Sequence, residues 1–281
     1  MRQFVADSMP DSKGVITVSD KKFHYVCSVL RSEIGDMIHV RLPDGTLQQM
    51  TVAKIDSSTK TAVFTIAGDA ACGQLSETGA KALPVKHKSN VNLWLFQFIP
   101  KPPKMELIIR QAVECGVSVI VPVEGEFCQS GCIESARKRC SSSDTRWKRI
   151  ITEAREQSGS PVDTKILSCV SVEEACRLWQ KETCASETSF AAVLYEQSAR
   201  TVLFHEASGR VLECGAVPDS AAVMVGAEGG ISPSEIELVF RSGFVPVHLK
   251  TNILRCETAA LYGLAVLQNT ITETAVWQLK K

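Results

Sequence analysis

The sequence predicts an α/β protein in which a small β-rich unit precedes a larger domain built on a parallel sheet. Three patterns indicate this class. Short apolar stretches separated by turns fill residues 15–66, a strand–helix–strand pattern runs through residues 91–123, and a glycine-containing loop leads into a capped helix at residues 226–243. Open α/β sheets bind ligands in loops at the ends of their strands, so the last pattern also marks a candidate site.

The first unit is indicated by stretches in which apolar and polar residues alternate, as they do in half-buried strands. We predict a helix and four strands there, with the helix at residues 20–30 and the strands at residues 15–18, 37–42, 50–55 and 61–66. Short strands at this spacing are typical of a small barrel. We therefore expect residues 1–72 to form a β-barrel domain.

A linker is predicted between the two domains. Residues 68–88 hold few large apolar side chains and many Gly, Ala and Ser residues, a composition typical of loops. We place the linker at residues 73–88 and the second domain at residues 89–281.

The second domain opens with the pattern of a βαβ unit. A strand at residues 91–98, a helix at residues 104–116 and a strand at residues 117–123 imply a parallel sheet with a right-handed crossover. An amphipathic helix is predicted at residues 145–158 because four apolar residues recur at helical spacing, namely Trp147, Ile150, Ile151 and Ala154. A further strand is predicted at residues 190–194.

The balance of charge counts mildly against nucleic-acid binding, since 31 basic residues match 31 acidic ones. The basic residues are clustered, however. Residues 81–110 contain six basic residues and one acidic residue, and residues 137–155 contain seven and two. Such clusters can neutralise phosphates or simply form solvated helix faces, and both interpretations stay open.

Cysteine usage and the lengths of apolar runs indicate a reduced, cytoplasmic protein. The eleven cysteines are an odd number, no CxxC pair occurs, and the cluster of Cys128, Cys132 and Cys140 matches no common zinc motif, so we expect no metal site. The first residues lack the apolar core of a signal peptide. The longest uncharged run, at residues 258–272, is too short and too polar to span a membrane, so we expect no membrane contact.

The most informative stretch begins with a loop in which the backbone can approach a flat ligand closely, because it contains Gly226, Gly229 and Gly230. Ser232 follows at a helix N-cap, Pro233 at the first helical position, and Glu235 completes a capping box. Gly243 is expected to end this helix. The loop would also suit an ordinary tight turn or a phosphate site, but no GxxxxGK[ST] or GxGxxG motif accompanies it.

Five segments resemble the ribosomal RNA small subunit methyltransferase E family. Residues 226–230 read GAEGG where the family has GPEGG, and residues 249–259 read LKTNILRCETA where it has LGxRILRxETA. Residues 99–117, IPKPPKMELIIRQAVECGV, are similar to LPKGxKMELIIQKATELGV. Residues 146–159, RWKRIITEAREQSG, are similar to RWxxIxxEAxEQSxR, and residues 23–45 resemble part of the family's N-terminal domain. The segments follow one another in the family's order.

The resemblance implies a definite fold and activity. Residues 89–281 would form a SPOUT domain, an α/β methyltransferase fold with a deep trefoil knot, and residues 1–72 a PUA-like RNA-binding barrel. The cofactor would be S-adenosylmethionine (SAM), bound in the knotted loops near the interface of a homodimer. The reaction would be methylation of N3 of a specific uridine in 16S ribosomal RNA on the small ribosomal subunit.

The resemblance also assigns site residues. Those expected to bind SAM are Leu194, Gly226, Glu228, Gly229, Gly230, Ile231, Leu249, Ile253, Leu254 and Ala259. Arg255 is expected to stabilise the developing uridine anion or to clamp a phosphate. Glu257 is expected to orient Arg255 or, as the less favoured alternative, to act as the base, although both would suit a structural ion pair at a helix start. The residues expected to contact RNA are Arg2, His24, Arg31, Lys101, Lys104 and Arg149.

Four positions depart from the family motifs. Ala227 replaces a proline, Lys250 a glycine and Asn252 an arginine, and Ser160 stands nearest to an expected arginine. They motivate a second hypothesis, an RNA-binding homologue with weakened catalysis, because a Lys250 side chain directed at the sulfonium would oppose SAM binding. A phosphate- or nucleotide-binding hydrolase is a third hypothesis, which the lack of a lysine in the glycine loop disfavours.

Overall fold

The computed structural model describes residues 3–66, 91–141, 146–184, 188–196, 201–203, 217–249 and 251–277. Arg2, Lys250 and the predicted linker at residues 73–88 lie outside these ranges. The chain divides into two compact units. The first comprises Met1–Lys86 and Arg155–Pro161, and the second comprises His87–Ala154 and Val162–Lys281.

The first unit contains a five-stranded sheet in the order β1-β3-β4-β5-β2. Its strands are β1 Gln3–Val5, β2 Val15–Ser19, β3 Met37–Arg41, β4 Leu47–Asp56 and β5 Thr61–Ile66. The first pair, β1 and β3, is parallel, and the other pairs are antiparallel. Because β1 and β2 are edge strands that do not pair with each other, the described strands form a curled half-barrel, which is only part of the small barrel that the sequence predicts.

The helix predicted at residues 20–30 is two short elements. Helix α1 spans Asp20–His24 and continues into a π-helical turn at Tyr25–Val29. The backbone N–H of Leu30 donates to the carbonyl of Tyr25 at 2.9 Å, a five-residue step that widens the last turn. Val26 on this turn is fully buried in the core of the unit, which also contains Phe4, Ile38, Val40, Met50 and Phe64.

The segment Arg155–Pro161 belongs to the first unit because it bonds to β1 and β3. The amide of Gln3 donates to the carbonyl of Glu156 at 3.0 Å, and Arg41 Nη2 donates to the carbonyl of Gly159 at 2.8 Å. This segment reads REQSGSP and begins in the last turn of the amphipathic helix predicted above, and its contacts join residues more than 100 positions apart in sequence. Sequence patterns carry no signal for such a pairing.

The second unit is built on an eight-stranded sheet with the order β11-β13-β10-β12-β6-β7-β8, in which β9 also pairs with β7. Its strands are β6 Asn92–Phe98, β7 Val119–Glu124, β8 Lys165–Ile166, β9 Val170–Ser171, β10 Ser189–Leu194, β11 Val202–Leu203, β12 Ser220–Val225 and β13 Val245–His248. Every pairing in this sheet is parallel, as the βαβ pattern predicts.

The helices that follow are α2 Pro102–Glu114, α3 Ser130–Ser141, α4 Arg146–Ser158, α5 Val172–Thr183, α6 Pro233–Arg241 and α7 Cys256–Trp277. Helix α2 begins two residues earlier than predicted, because Pro102 and Pro103 occupy its first positions, where a missing N–H costs nothing. Helices α3 and α5 were not predicted. In the described part of the chain, no helix combines the length and the apolar character that a membrane crossing requires.

Both faces of the parallel sheet are buried. On β6, Leu93 and Leu95 face one apolar cluster, which includes residues of α2 and α7. Trp94, Phe96 and Phe98 face the opposite cluster, which includes residues of α5 and α6. This alternation explains why residues 93–96 of β6 are all apolar, since strands covered on both faces have no solvent side.

Candidate active site

A cavity of about 460 Å³ opens beyond the carboxyl ends of three neighbouring strands, β13, β10 and β12. Its lining is contributed by the loops after these strands and by the start of α7. The described lining residues are Leu194, Tyr195, Glu196, Val225, Gly226, Ala227, Gly230, Ile231, Val247, His248, Leu249, Thr251, Asn252, Ile253, Leu254, Cys256 and Ala259. This is the edge at which open α/β sheets bind their ligands.

The loop after β12 is a tight turn that leaves little room for side chains. The backbone N–H of Gly230 donates to the carbonyl of Ala227 at 3.0 Å, and Gly230 has a φ of 78°. A Cβ at Gly226 would lie 3.1 Å from the carbonyl carbon of Gly230, closer than nearly all real contacts. Glycine at these two positions therefore allows the loop to close on itself beside the cavity.

Helix α6 begins directly after this loop, and its predicted start is confirmed. The Ser232 side chain accepts a hydrogen bond from the backbone N–H of Glu235, and the Glu235 carboxylate accepts one from the backbone N–H of Ser232 at 3.0 Å. Pro233 occupies the first turn, and Gly243, with a φ of 91°, follows the C-cap. The reciprocal capping box fixes the direction in which the chain leaves the glycine loop.

Gln97 supports the glycine loop from below and was not identified from the sequence. Its side chain is fully buried near the end of β6. The amide Nε2 donates to the carbonyls of Phe98, Val225 and Gly226 at 2.9, 3.4 and 3.2 Å. The sequence signal that could have identified it is a polar residue within an apolar strand, because a buried amide without hydrogen-bond partners would be costly and a buried Gln97 therefore implies such partners.

The second loop, between β13 and α7, carries the ILRCET sequence. The backbone N–H of Thr251 donates to the carbonyl of Leu249 at 2.7 Å, which makes a sharp turn. Ile253 lines the cavity and is nevertheless 87% exposed, so one of its faces meets solvent. Helix α7 begins at Cys256, and Gly263 packs it against the sheet, since a Cβ there would lie 2.9 Å from Leu194 Cδ1.

One lysine on α2 connects the two loops. Lys104 Nζ lies 3.0 Å from Glu257 Oε2, in the first turn of α7 directly after the second loop, and 3.5 Å from Glu228 Oε1 in the glycine loop. Glu228 Oε1 also accepts a hydrogen bond from the backbone N–H of Lys101 at 3.3 Å. We call Lys104, Glu228 and Glu257 the loop clamp.

Lys104 and Glu257 stabilise each other in their charged forms. The hydrogen bond to Glu257 raises the pKa of Lys104. Burial alone would raise the pKa of Glu257, but hydrogen bonds from its own backbone N–H, from Lys104 and from Cys256 outweigh it, and the pKa lies below its ordinary value. Beside the clamp, burial and the Glu257 carboxylate raise the pKa of the Cys256 thiol to about 12.

The expected contact between Glu257 and Arg255 is not formed among the described residues, because the Glu257 carboxylate is engaged by Lys104 and Cys256. Arg255 is exposed at the start of α7, and within the described ranges no ion pair involves its side chain. A carboxylate with a lowered pKa is also a poor proton acceptor at neutral pH. Glu257 is thus placed to hold Lys104, and Arg255 is left available to a ligand.

Residues 87–268 match the model of the RNA methyltransferase domain family. The chain belongs to this family. It is 25% identical over 268 residues to ribosomal RNA small subunit methyltransferase E of Buchnera aphidicola subsp. Acyrthosiphon pisum, covering 95% of this chain and 92% of the relative. It is 27% identical over 269 residues to ribosomal RNA small subunit methyltransferase E 2 of Borreliella burgdorferi, covering 94% and 96%. The resemblance found in the sequence is confirmed.

Solved structures show the same fold. A crystal structure of a ribosomal RNA small subunit methyltransferase E from Neisseria gonorrhoeae bound to S-adenosyl methionine aligns with a TM-score of 0.72 at 24% identity, over 96% of this chain and 97% of that one. A putative methyltransferase from Legionella pneumophila, in complex with SAM, aligns with a TM-score of 0.70 at 24% identity, over 95% and 97%. The predicted α/β class is confirmed.

Most of the residues expected to bind a cofactor in this RNA methyltransferase family member line the cavity. They are Leu194, Gly226, Gly230, Ile231, Leu249, Ile253, Leu254 and Ala259. Glu228 and Gly229 do not line it, since Glu228 belongs to the loop clamp and Gly229 packs on Phe127. Two lining residues, Glu196 after β10 and His248 at the end of β13, were not identified from the sequence. His248 Nδ1 lies 2.8 Å from Thr201 Oγ1.

The residues expected to contact RNA are dispersed over both units. His24 and Arg31 are exposed in the first unit, and Arg31 has a φ of 51°, which is unusual for a residue with a side chain. Lys101 and Arg149 are exposed in the second unit, where Arg149 pairs with Glu153 at 3.4 Å. Arg2 lies outside the described residues, and Lys104 is engaged in the loop clamp.

Among the described residues, no group of three or more His, Cys, Asp and Glu side chains is placed to hold a metal ion. The absence of a metal site in this RNA methyltransferase family member stays a prediction.

Proposed function

We propose that the protein uses SAM to methylate N3 of a specific uridine in the 16S ribosomal RNA of the small ribosomal subunit. The observation that carries this proposal is the cavity at the ends of β13, β10 and β12, lined by the glycine loop and the ILRCET loop. Membership of the RNA methyltransferase family supports the reaction class. The names of the relatives support small-subunit ribosomal RNA as the substrate.

The residues of the cavity fit SAM. A volume of about 460 Å³ lies within the range of small-molecule sites. Apolar side chains such as Ile231 and Leu254 provide a slot for a flat ring, and the Gly226 backbone can approach it closely. No Lys or Arg occurs among the described lining residues, and the acidic residue Glu196 is one of them, a lining that suits a positively charged sulfonium. When bound, SAM would supply an electrophilic methyl carbon.

The chain's own residues would orient the substrate and handle charge. Arg255 is exposed at the cavity-side end of α7 and would stabilise the anion that develops on the uracil as the N3 proton leaves. Glu257 and Glu228 would act through their ion pairs with Lys104, which would hold the glycine loop and the start of α7 at a fixed distance from each other. Alignment of the reacting atoms alone can contribute roughly 7–11 kcal/mol to lowering the barrier.

The finer features of the fold belong to the same proposal. Residues 1–72 would form a PUA-like RNA-binding domain, residues 73–88 a linker, and residues 89–281 a SPOUT domain with a trefoil knot. The protein would act as a cytoplasmic homodimer without membrane or metal. Tyr262 on α7 and Leu107 on α2, both partly exposed apolar residues on helices that pack together, would suit a dimer interface.

A catalytically weakened RNA-binding homologue is the alternative. The observation that favours it is that Asn252 lines the cavity, at the position where the motif LGxRILRxETA has an arginine. Ser160 is buried in the first unit, so an arginine at that position would have to displace its neighbours. Ala227 argues in the other direction, because it fits the tight loop and is buried there. Lys250 lies outside the described residues.

Methyl transfer separates the two functions. Purified protein is incubated with isotope-labelled SAM and with small ribosomal subunits that lack the modification, beside large subunits and deproteinised 16S RNA. The proposal predicts that label enters the RNA of intact small subunits and neither the large subunits nor the deproteinised 16S RNA. Binding to the small subunit without incorporation of label would support the homologue without catalysis and contradict the enzyme.

A further inference from the structure

Two cysteines of the second unit form a close pair, and neither lines the cavity. Cys140 lies in the last turn of α3, and Cys169 directly precedes β9 at the edge of the sheet. Their sulfur atoms are 3.6 Å apart although 29 positions separate them in sequence. Both residues are partly buried, so small reagents can approach them.

The two sulfurs have different surroundings. Cys140 Sγ donates to the carbonyl of Leu167 at 3.4 Å. Hydrogen bonds from the thiol of Cys169 lower the pKa of Cys140, against the effect of burial, and the backbone N–H of Cys169 acts in the same direction. The same contact raises the pKa of Cys169 strongly. Glu124 and Arg137, which are paired with each other, also act on the cysteine pair through their charges.

A pair of buried hydrophobes is the simplest alternative, since both cysteines touch the core. That alternative does not require the two sulfurs to face each other. A contact of 3.6 Å needs a movement of about 1.6 Å to reach a disulfide bond, which side-chain rotation can supply.

We propose that Cys140 and Cys169 are a peroxide-sensitive pair that forms a reversible intramolecular disulfide. The Cys140 thiolate attacks a hydroperoxide, which breaks the O–O bond and leaves a sulfenic acid on Cys140 and water or an alcohol. The thiol of Cys169 then attacks that sulfur, the S–S bond forms, and water leaves. The two sulfurs lose two electrons to the peroxide, and a dithiol reductant restores them.

The disulfide would fasten the end of α3 to the strand edge formed by β8 and β9. The closed loop of the chain contains α4, which carries Arg149 on its exposed face. Transient disulfides of this kind are compatible with a reducing compartment. The proposal is independent of the methyltransferase activity.

Peptide mapping tests it. The reduced full-length protein is treated with one equivalent of hydrogen peroxide, blocked with iodoacetamide, and digested without reduction by trypsin and Glu-C, which separates Cys169 from Cys176. The expected product is a disulfide between the peptide CSSSDTR, which contains Cys140, and ILSCVSVE, which contains Cys169. Dithiothreitol should abolish it.

Serine variants test the order of events. Cys169→Ser should stop at a sulfenic acid on Cys140 that dimedone traps, whereas Cys140→Ser should give no dimedone adduct on Cys169. Cys132→Ser, on the same helix, should leave the cross-link intact and is the matched control. The proposal is overturned if wild-type protein gives no Cys140–Cys169 peptide, or if Cys140 is linked equally to Cys132 or Cys176.

Discussion

Lys104 Nζ lies 3.0 Å from Glu257 Oε2, and this ion pair joins α2 to the first turn of α7, the last helix described. Because Lys104 also lies 3.5 Å from Glu228, one ammonium group holds both loops that border the cavity. Without it, two carboxylates would face each other with no cation between them. The loop clamp therefore connects the sequence motif PKPPK to the two motifs that resemble a cofactor site.

Lys104→Met should weaken SAM binding while the protein stays folded. The clamp residues are partly exposed, so we expect an increase in Kd of about three- to tenfold. Isothermal titration calorimetry with SAM measures it. Lys101→Met is the matched control, because Lys101 contacts Glu228 through its backbone N–H, which the substitution leaves in place. Equal losses in the two variants would contradict a specific role for the clamp.

Gly226→Val should weaken SAM binding. A Cβ at position 226 would already lie only 3.1 Å from the carbonyl carbon of Gly230, and the two methyl groups of valine add to this crowding. Overpacking of this kind costs about 1–3 kcal/mol. We expect Kd to rise by about tenfold or more. Gly131→Ala is the comparison, since a Cβ at this position in α3 meets nothing within 4 Å. A Gly226→Val variant that binds SAM normally would place the ligand elsewhere.

Arg255→Ala should lower kcat without changing SAM affinity. Its side chain is exposed and, among the described residues, takes no part in an ion pair, so the fold should not depend on it. Loss of a group that stabilises a developing anion typically reduces kcat by about 100-fold or more. Steady-state kinetics with saturating SAM check this, and Arg241→Ala, an exposed arginine on α6, serves as the control. A rise in the SAM Kd with unchanged kcat would move Arg255 to the cofactor site.

Cys256 should resist alkylation at pH 8 although it lines the cavity. Burial and the Glu257 carboxylate raise its pKa to about 12, so only on the order of one thiol in ten thousand is ionised at pH 8. The exposed Cys184 should react much faster. Site-resolved mass spectrometry after a short iodoacetamide pulse measures both, and the rate at Cys256 should rise as the pH approaches 12. Equal rates at pH 8 would refute the raised pKa.

Features set by neighbouring residues could be predicted from the sequence. The capping box of Ser232 and Glu235 spans three residues, and the βαβ unit that begins with β6 is a local alternation of strand and helix patterns. The glycine loop was recognisable because close approach of two backbones excludes side chains at Gly226. Eight of the ten residues that the family resemblance assigned to a cofactor line one cavity.

Features that depend on contacts between residues distant in sequence could not be predicted. Lys104 and Glu257 are far apart in sequence, so their ion pair depends on how α2 and α7 pack. Closure of a barrel depends on whether two edge strands meet, and β1 and β2 do not. Helix α5 was missed although Ser171 and Glu174 form its capping box, because short strands directly before it hide the change of period.

The most direct test of the central claim is mass spectrometry of the product nucleosides. Small ribosomal subunits lacking the modification are incubated with the protein and SAM, and the RNA is digested to nucleosides and compared with standards. We expect 3-methyluridine to appear in proportion to enzyme and time, and to be reduced by Arg255→Ala. Methylation of another base or position, or no methylated nucleoside despite stable binding to the subunit, would contradict a uridine-N3 methyltransferase.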